Sequence, residues 1–214
     1  MNSKNAILHS PRFDQLASEL AKVSRFLAER GWSPAMSSNY SAKIDHEHIA
    51  ISRTGVNKFV MTPQDVIVID RAGEVVAPAA ARSSAETLIH TTIYEALPGV
   101  EAVLHTHSPE NTRLSLRYKD MGQITFEGYE MQKGLYGNET HETLTLIPIL
   151  PNAQDMKAYA KDVSHLLQKH KNIHGFLIAG HGLYTWGENL TITQRQVETF
   201  EFLFRCRALE LMGV

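Results

Sequence analysis

Apolar residues near the start of the chain recur at intervals of three and four, which is the spacing of one helix face. The pattern begins after Ser10-Pro11 and stops at Gly31. Its apolar positions are Phe13, Leu16, Leu20, Val23 and Leu27. The spacing predicts a helix that covers one side of the core. From residue 34 to about residue 77 the pattern changes to short β-type runs between polar turns, including an apolar run at 66–69.

The rest of the chain alternates between helical and β-type patterns. Helical periodicity marks residues 83–97, a short segment from 109, residues 155–169 and a last segment from about 191. β-type patterns mark residues 100–107, 143–149 and 176–179. Two of the helix starts, Ser83-x-x-Glu86 and Thr191-x-x-Gln194, have the pattern of a capping box.

The order of these elements predicts the fold class. No internal repeat, low-complexity stretch or linker divides the sequence, and it contains none of the usual glycine-rich phosphate loops of parallel nucleotide-binding sheets. We therefore predict an α/β fold of the α+β type, in a single domain over residues 1–214. The expected architecture is a central, mainly antiparallel sheet flanked by helices.

Charge and cysteine content narrow the classes of function. The chain has 21 Lys and Arg residues against 23 Asp and Glu residues, so it lacks the positive surplus that holds nucleic-acid phosphates. No apolar run approaches the roughly 20 residues of a membrane span, and no secretory leader is recognisable. The single cysteine, Cys206, fits a reducing compartment. We expect a cytoplasmic protein with no nucleic-acid or membrane partner.

Two of the 11 histidines form a candidate metal site at the end of a predicted strand. Alternate residues of a strand point to the same face, so His105 and His107 can direct both imidazoles at one ion. A catalytic zinc keeps three protein ligands and one open position. His181 is the best candidate for the third ligand, because it follows an apolar strand and lies between two glycines that permit a sharp turn.

A second H-x-H pattern shows that the spacing alone is weak evidence for a metal. His46-Glu47-His48 lies in a polar turn, where a solvated hairpin loop is the better interpretation.

Two glutamates compete for the role of the proton-transferring group that a metal site needs. Glu86 could instead serve the capping box at its helix start. Glu130 could instead lie in an exposed helical turn, paired weakly with Lys133. The spacing leaves both assignments open.

Several turns gather the groups that bind a phosphate. Hydroxyls, backbone N–H groups and one ammonium converge there, and one serine stands at a predicted helix start. The alternative is that these residues occur there only because their conformational preferences favour turns. The candidate anion-binding residues are Ser37, Asn39, Thr54, Gly55, Lys58 and Ser84.

Taken in order along residues 32–186, these segments resemble the class II aldolase/adducin family. Ser38 stands where that family usually has glycine, and Ser83 where proline is common. The matching segments are Pro34-Ala35-Met36-Ser37-Ser38-Asn39-Tyr40-Ser41, Thr54-Gly55, Ser84-Ala85-Glu86, His105-Thr106-His107 and Gly180-His181-Gly182-Leu183.

The resemblance implies a zinc-dependent enzyme that acts on a sugar phosphate. It implies one Zn²⁺ per subunit on His105, His107 and His181. It also implies a homotetramer with active sites at the subunit interfaces. The substrate phosphate would bind near Asn39, Thr54, Gly55 and Ser84.

Within the family, residues 52–58, 130–134, 147–149 and 182–187 resemble the dehydratase branch. This implies a lyase of methionine salvage, a route of methionine biosynthesis. Its reaction would convert 5-methylthioribulose 1-phosphate to 2,3-diketo-5-methylthiopentyl 1-phosphate. The resemblance favours Glu130 as the acid/base, whereas Glu86 matches the position that the aldolases use. A class II aldolase or epimerase, or a non-catalytic adducin-like module, is the alternative.

Overall fold

A nine-stranded sheet forms the centre of the computed structural model, which describes residues 6–213. The strands are β1 (Asn39–Lys43), β2 (His48–Ser52), β3 (Val66–Asp70), β4 (Val75–Ala77), β5 (Ala102–Thr106), β6 (Gln123–Phe126), β7 (Thr145–Leu150), β8 (Gly175–Ile178) and β9 (Gly182–Gly187). Their order across the sheet is β4-β3-β2-β1-β5-β9-β8-β7-β6. Within the described residues only β7 and β8 run parallel, which confirms the predicted α/β fold with a mainly antiparallel sheet.

Five α-helices within residues 6–213 cover the two faces of the sheet. They are α1 (Pro11–Glu29), α2 (Thr87–Ala96), α3 (Pro109–Arg117), α4 (Met156–Lys169) and α5 (Leu190–Met212). One face packs against α1, α3 and α5, and the other against α2 and α4. Residues 1–5 and 214 of the predicted domain lie outside the described part of the chain.

The alternation of side chains along each strand divides the core between these faces. In β3, Val66 and Val68 pack on the α1 side, whereas Ile67 and Ile69 pack on the α2 side. In β5, Leu104 faces α1 and Val103 faces α2. β5 lies between β1 and β9 with both of its faces covered, so its polar residues are placed inside the protein.

The structure corrects both capping boxes. The last helix begins one residue before Thr191, and Asn189 caps it by accepting a hydrogen bond from the N–H of Ile192. Gln194 instead donates to Glu198. At the start of α2 the side chain of Glu86 makes no capping bond, because it is turned toward the histidines. The capping-box pattern depends on local sequence only, and in both places other hydrogen bonds replaced it.

Two of the strands, β6 and β9, were not predicted from the sequence. β6 has four residues and its pattern is too short to distinguish from a turn. β9 follows β8 after a gap of three residues, and the glycines around His181 signalled the turn but not the strand that follows it. None of the helices in residues 6–213 has the length and apolar character required to cross a membrane.

Candidate metal centre and active site

Neighbouring strands bring the three predicted histidines together. His105 lies in β5, His107 follows the end of that strand, and His181 lies in the turn between β8 and β9. β5 pairs with β9 so that His105 is opposite Tyr184 and Thr106 is opposite Leu183. The ring centroids of the three histidines are 4.4 to 5.0 Å apart. The predicted triad therefore exists as a cluster.

The turn that carries His181 requires its glycines and is held by α3. Gly180 has a φ of +67°, and a Cβ on Gly182 would lie 2.2 Å from the carbonyl oxygen of Thr106. Two hydrogen bonds tie the turn to α3: Thr112 Oγ1 donates to the carbonyl of His181, and Ser115 Oγ accepts from the N–H of Gly180. The position of the third imidazole is thus fixed by the backbone.

The protonation state of the imidazoles is the one that a metal ion requires. His105 is fully buried, and burial together with the neighbouring His107 lowers its pKa well below the usual value. Burial lowers the pKa of His107 to about 4. The Nδ1 of His105 lies 2.9 Å from the carbonyl oxygen of Leu183, and as the donor of that hydrogen bond it leaves the Nε2 lone pair free. Both rings are neutral at physiological pH, as metal binding requires.

The spacing of the nitrogens also fits a metal. One ligand atom from each of His105, His107 and His181 can be chosen so that all lie within 4.8 Å of one another, and no other such group occurs in residues 6–213. The Nε2 atoms of His105 and His181 are 3.2 Å apart. Two nitrogens bound at about 2.0–2.1 Å to one tetrahedral ion lie about 3.3 Å apart. The triad is therefore a candidate metal centre.

Glu86 lies against this triad. Its Oε1 is 2.9 Å from Nε2 of His181, and its Oε2 is 3.7 Å from Nε2 of His105. Asn39 donates a hydrogen bond of 2.6 Å to Oε2. Burial works to raise the pKa of Glu86, but the hydrogen bond with His181, the electrostatic effect of His105 and His181, and the bond from Asn39 hold that pKa well below its usual range. Glu86 is thus an ionised carboxylate at the metal centre.

One cavity of about 360 Å³ joins the triad to the predicted anion site. Its walls include Glu86, His107 and His181 together with all six predicted residues, namely Ser37, Asn39, Thr54, Gly55, Lys58 and Ser84. The structure brings these residues together, and their binding of phosphate stays a prediction.

Details of this wall favour an anion. The hydroxyl of Ser37 is buried without a hydrogen-bond partner. Lys58 is 1% exposed, and its ammonium donates to the carbonyl of Val56. Burial lowers the pKa of Lys58 to about 8, against the opposing effect of Asp65, so the ammonium carries most of its charge at neutral pH. Ser38 has a φ of +73°, which explains why glycine is favoured at its position.

Glu130 does not line this cavity. It begins a 3-10 helix, Glu130–Gly134, and its side chain is 70% exposed. Its Oε1 accepts a hydrogen bond of 2.7 Å from Lys133, and its Oε2 is 3.6 Å from His141. This is the exposed, ion-paired turn that the sequence offered as the alternative. The catalytic role of Glu130 stays a prediction. Within a single chain, Glu130 lies outside the cavity that contains His107 and His181.

The second H-x-H motif is a hairpin loop, as predicted. His46 is 73% exposed beside Glu47, and His48 contacts Asp45 at the start of β2.

The sequence analysis did not single out two buried groups near the centre. His90 of α2 is fully buried and hydrogen-bonds Asn39 and Ser41. Its only signal is its position, one helical turn after Glu86. Glu201 of α5 accepts a 2.9 Å hydrogen bond from Asn111 and a 3.2 Å bond from Thr106, the residue between the two strand histidines. The local sequence gives no sign of this role.

Comparisons with known proteins identify a family and relatives that match nearly the whole chain. The chain matches the family model described as Class II Aldolase and Adducin N-terminal domain over residues 18–208. A protein of Marinobacter nauticus named methylthioribulose-1-phosphate dehydratase is 48% identical over 204 residues, covering 95% of this chain and 97% of that protein. A protein of the same name from Sorangium cellulosum is 41% identical over 198 residues, covering 92% and 93%.

Solved structures show the same fold. The L-fuculose-1-phosphate aldolase of Thermus thermophilus superposes with a TM-score of 0.75 and 20% sequence identity, covering 94% of this chain and 97% of that chain.

Replacing His107 with alanine is expected to abolish metal retention. Removing one of three ligands should lower metal affinity by more than the about 10- to 100-fold that loss of a supporting group costs. The measurement is the metal content of the dialysed protein and a titration with Zn²⁺. His46→Ala, which alters the exposed H-x-H motif, is the matched control and should retain the metal. Equal metal content in the two variants would remove the triad from consideration.

Glu201 is expected to make stability depend on pH. Burial raises its pKa from 4.5 to about 7, against the hydrogen bonds from Ser108, Asn111 and Thr106. A raised folded-state pKa stabilises the fold below the unfolded value, and this contribution is lost as the pH rises through about 7. The shift corresponds to about 3 kcal/mol at about 1.4 kcal/mol per pKa unit.

Glu201→Gln cannot ionise, so its stability relative to the original protein should increase as the pH rises from about 5 to about 8. Urea unfolding across this range measures the difference. Glu198→Gln, on the preceding turn of α5 and partly exposed, should leave the slope unchanged. A constant difference between Glu201→Gln and the original protein would contradict the prediction.

Proposed function

The chain belongs to the class II aldolase and adducin family, and we propose that it is the hydro-lyase that dehydrates 5-methylthioribulose 1-phosphate to 2,3-diketo-5-methylthiopentyl 1-phosphate in methionine salvage. The observation that carries this proposal is the complete histidine triad, of which His107 and His181 line the same cavity as the anion-binding residues. The names of relatives that are 41% and 48% identical over nearly the whole chain select this substrate and dehydration among the reactions of the family.

One end of the site is polar and the other is largely apolar, as are the phosphate and methylthio ends of this substrate. The phosphate would occupy the cavity of Ser84, Thr54 and Lys58. On its other side, His107 borders a second cavity of about 460 Å³ whose walls include Pro34 and Leu116. That largely apolar surface suits a methylthio group better than the hydroxylic end of an ordinary sugar phosphate.

Zinc is the metal we propose for His105, His107 and His181, one ion per subunit, although three imidazoles also accept iron, cobalt or manganese. When bound, the ion supplies a Lewis acid that polarises the C2 carbonyl of the substrate and so acidifies the proton on C3. The three imidazoles would hold the ion, and Lys58 with the surrounding hydroxyls would hold the phosphate in the adjoining cavity.

A carboxylate would carry the proton in two steps. It takes the proton from C3, a C3–C4 double bond forms, and the C4–O bond breaks. The same carboxyl returns the proton to the departing hydroxyl, which leaves as water. The resulting enol at C3 then forms the second ketone, so atoms and charge balance.

Glu130 and Glu86 are both candidates for this carboxylate. Glu86 is ionised and lies 2.9 Å from His181, so it is in place within one chain. Glu130 is outside the cavity of its own chain and can act only on the cavity of a partner subunit. We propose that Glu130 is the acid/base, in a homotetramer with active sites at the subunit interfaces, and that Glu86 is the second candidate.

Two other functions would give different results in the test described below. A sugar-phosphate aldolase or epimerase would use the same metal and anion cavity but would cleave or invert a carbon. A non-catalytic adducin-like module would not need the complete triad, which argues against it. The cytoplasmic location also stays a prediction.

The direct test incubates the zinc-loaded protein with 5-methylthioribulose 1-phosphate and determines the mass of the product. Loss of one water is the expected result. Two carbon fragments would identify an aldolase, and unchanged substrate would contradict the proposal. His107→Ala serves as the control, since it should lack both the metal and the activity.

A mixing experiment tests whether Glu130 acts across subunits. Glu130→Gln should keep the metal and lose turnover, and His107→Ala should lose both. When equal amounts are unfolded and reassembled together, some sites combine an intact triad with an intact Glu130 of the partner subunit. Random mixing in a ring should restore about a quarter of the original activity.

A mixture of His107→Ala with His181→Ala is the control, because no arrangement of those chains restores a triad. Failure of the first mixture to exceed this control would place the acid/base within one chain, and a fully active Glu130→Gln protein would exclude Glu130.

A further inference from the structure

A line of buried polar side chains joins α2 to β1 beneath the metal centre. Glu86, His90 and Tyr94 recur every four residues on one face of the helix, and Asn39 and Ser41 alternate on one face of the strand. Four helical residues rise about 6 Å and two strand residues rise about 6.6 Å. Because these repeats nearly match, each strand residue lies between two helix residues. We call these five residues the polar ladder.

The hydrogen bonds of the polar ladder are continuous. Asn39 joins Glu86 to His90 through the two ends of its amide, with Nδ2 2.6 Å from Oε2 of Glu86. Ser41 Oγ lies 2.7 Å from Nδ1 of His90 and 2.8 Å from the hydroxyl of Tyr94. All members except Glu86 are buried.

The positions of the amide atoms of Asn39 determine which atom donates at every step. Its Nδ2 faces Oε2 of Glu86, and its Oδ1 faces Nε2 of His90. That oxygen requires a proton on Nε2 of His90. Burial lowers the pKa of His90 to about 3, against the opposing charge of Glu86. The ring is therefore neutral, and its Nδ1 accepts from Ser41, which in turn accepts from Tyr94.

The outer end of the polar ladder is anchored by charge. The ammonium of Lys43 lies 5.2 Å from the centre of the Tyr94 ring and pairs with Glu101 at 3.5 Å. The ladder therefore extends from a partly exposed ion pair to the carboxylate at the triad. The amide of Asn39 cannot pass a proton from one neighbour to the other. The polar ladder therefore orients side chains and does not transfer protons.

We propose that His90 is a positioning residue, which fixes the amide of Asn39 with its NH₂ toward Glu86 and thereby holds the Glu86 carboxylate against His105 and His181. Without a donor at His90, the buried oxygen of the Asn39 amide would have no hydrogen-bond partner, and the amide would no longer be held in this orientation. Glu86 would then turn away from the histidines. Because the effect on turnover rests on the proposed function, the test includes a measurement that does not.

The first measurement is the tautomer of His90 in the metal-loaded protein. A long-range ¹⁵N–¹H correlation spectrum of histidine-labelled protein distinguishes a proton on Nε2 from one on Nδ1, and His90→Gln identifies the signal by its loss. The expected result is a neutral ring protonated at Nε2 from pH 6 to 8. A ring protonated at Nδ1, or a charged ring, would overturn the proposal even if the protein proved to have another activity.

The second measurement compares two replacements of His90. Gln retains an N–H donor for Asn39, whereas Phe has similar bulk and no donor. We expect His90→Phe to lower kcat by about 10- to 100-fold, as loss of a supporting group does at metal sites. KM should change little, and His90→Gln should recover most of kcat.

Controls separate positioning from a loss of structure. His165→Phe replaces an exposed histidine of α4 and should leave the kinetics unchanged. Tyr94→Phe keeps the ring beneath Lys43 but removes the last donor, and should lower kcat less than His90→Phe does. Each variant is checked for metal content and circular dichroism. Equal kcat values in His90→Phe and His90→Gln, with both folded, would overturn the proposal.

Discussion

The pairing of β5 with β9 is the contact on which the rest of the site depends. It places His105 opposite Tyr184 and brings the turn of His181 beside the end of β5, although the two histidines are 76 positions apart. Gly182 makes this possible, because any Cβ there would meet the carbonyl oxygen of Thr106 at 2.2 Å. A slip of one residue in this pairing would turn His105 away from His181 and destroy the metal centre.

β5 also separates two carboxyl groups that behave in opposite ways, the partly exposed Glu86 and the buried Glu201. On one face, Glu86 meets histidines and an amide donor, which hold its pKa well below the usual range despite burial. On the other face, Glu201 has hydrogen bonds but no cation, and burial raises its pKa to about 7. The difference lies in the partners, since burial works to raise the pKa of both groups. The ionised carboxylate is the one that faces the candidate metal.

The fold and the chemistry are separable in this protein. An aldolase that is only 20% identical has the same fold, so the sheet by itself does not select a reaction. The choice of dehydration rests on the residues around the triad and on the names of closer relatives. In the proposed function, oligomeric assembly would enter the chemistry only through Glu130, because this residue lies outside the cavity of its own chain.

The sequence by itself determined the elements whose signals are local. Periodicity located the helices and most strands, and the H-x-H pair, the glycines around His181 and the serine-rich turns named the members of one cavity. Only the tertiary structure decided that Glu86 faces the histidines and does not cap its helix, that His90 hydrogen-bonds the amide of Asn39, and that Glu130 lies outside its own chain's cavity. The physical reason is that periodicity, caps and turns depend on residues a few positions apart. The environment of a buried polar group depends on strand order, which joins residues distant in the chain.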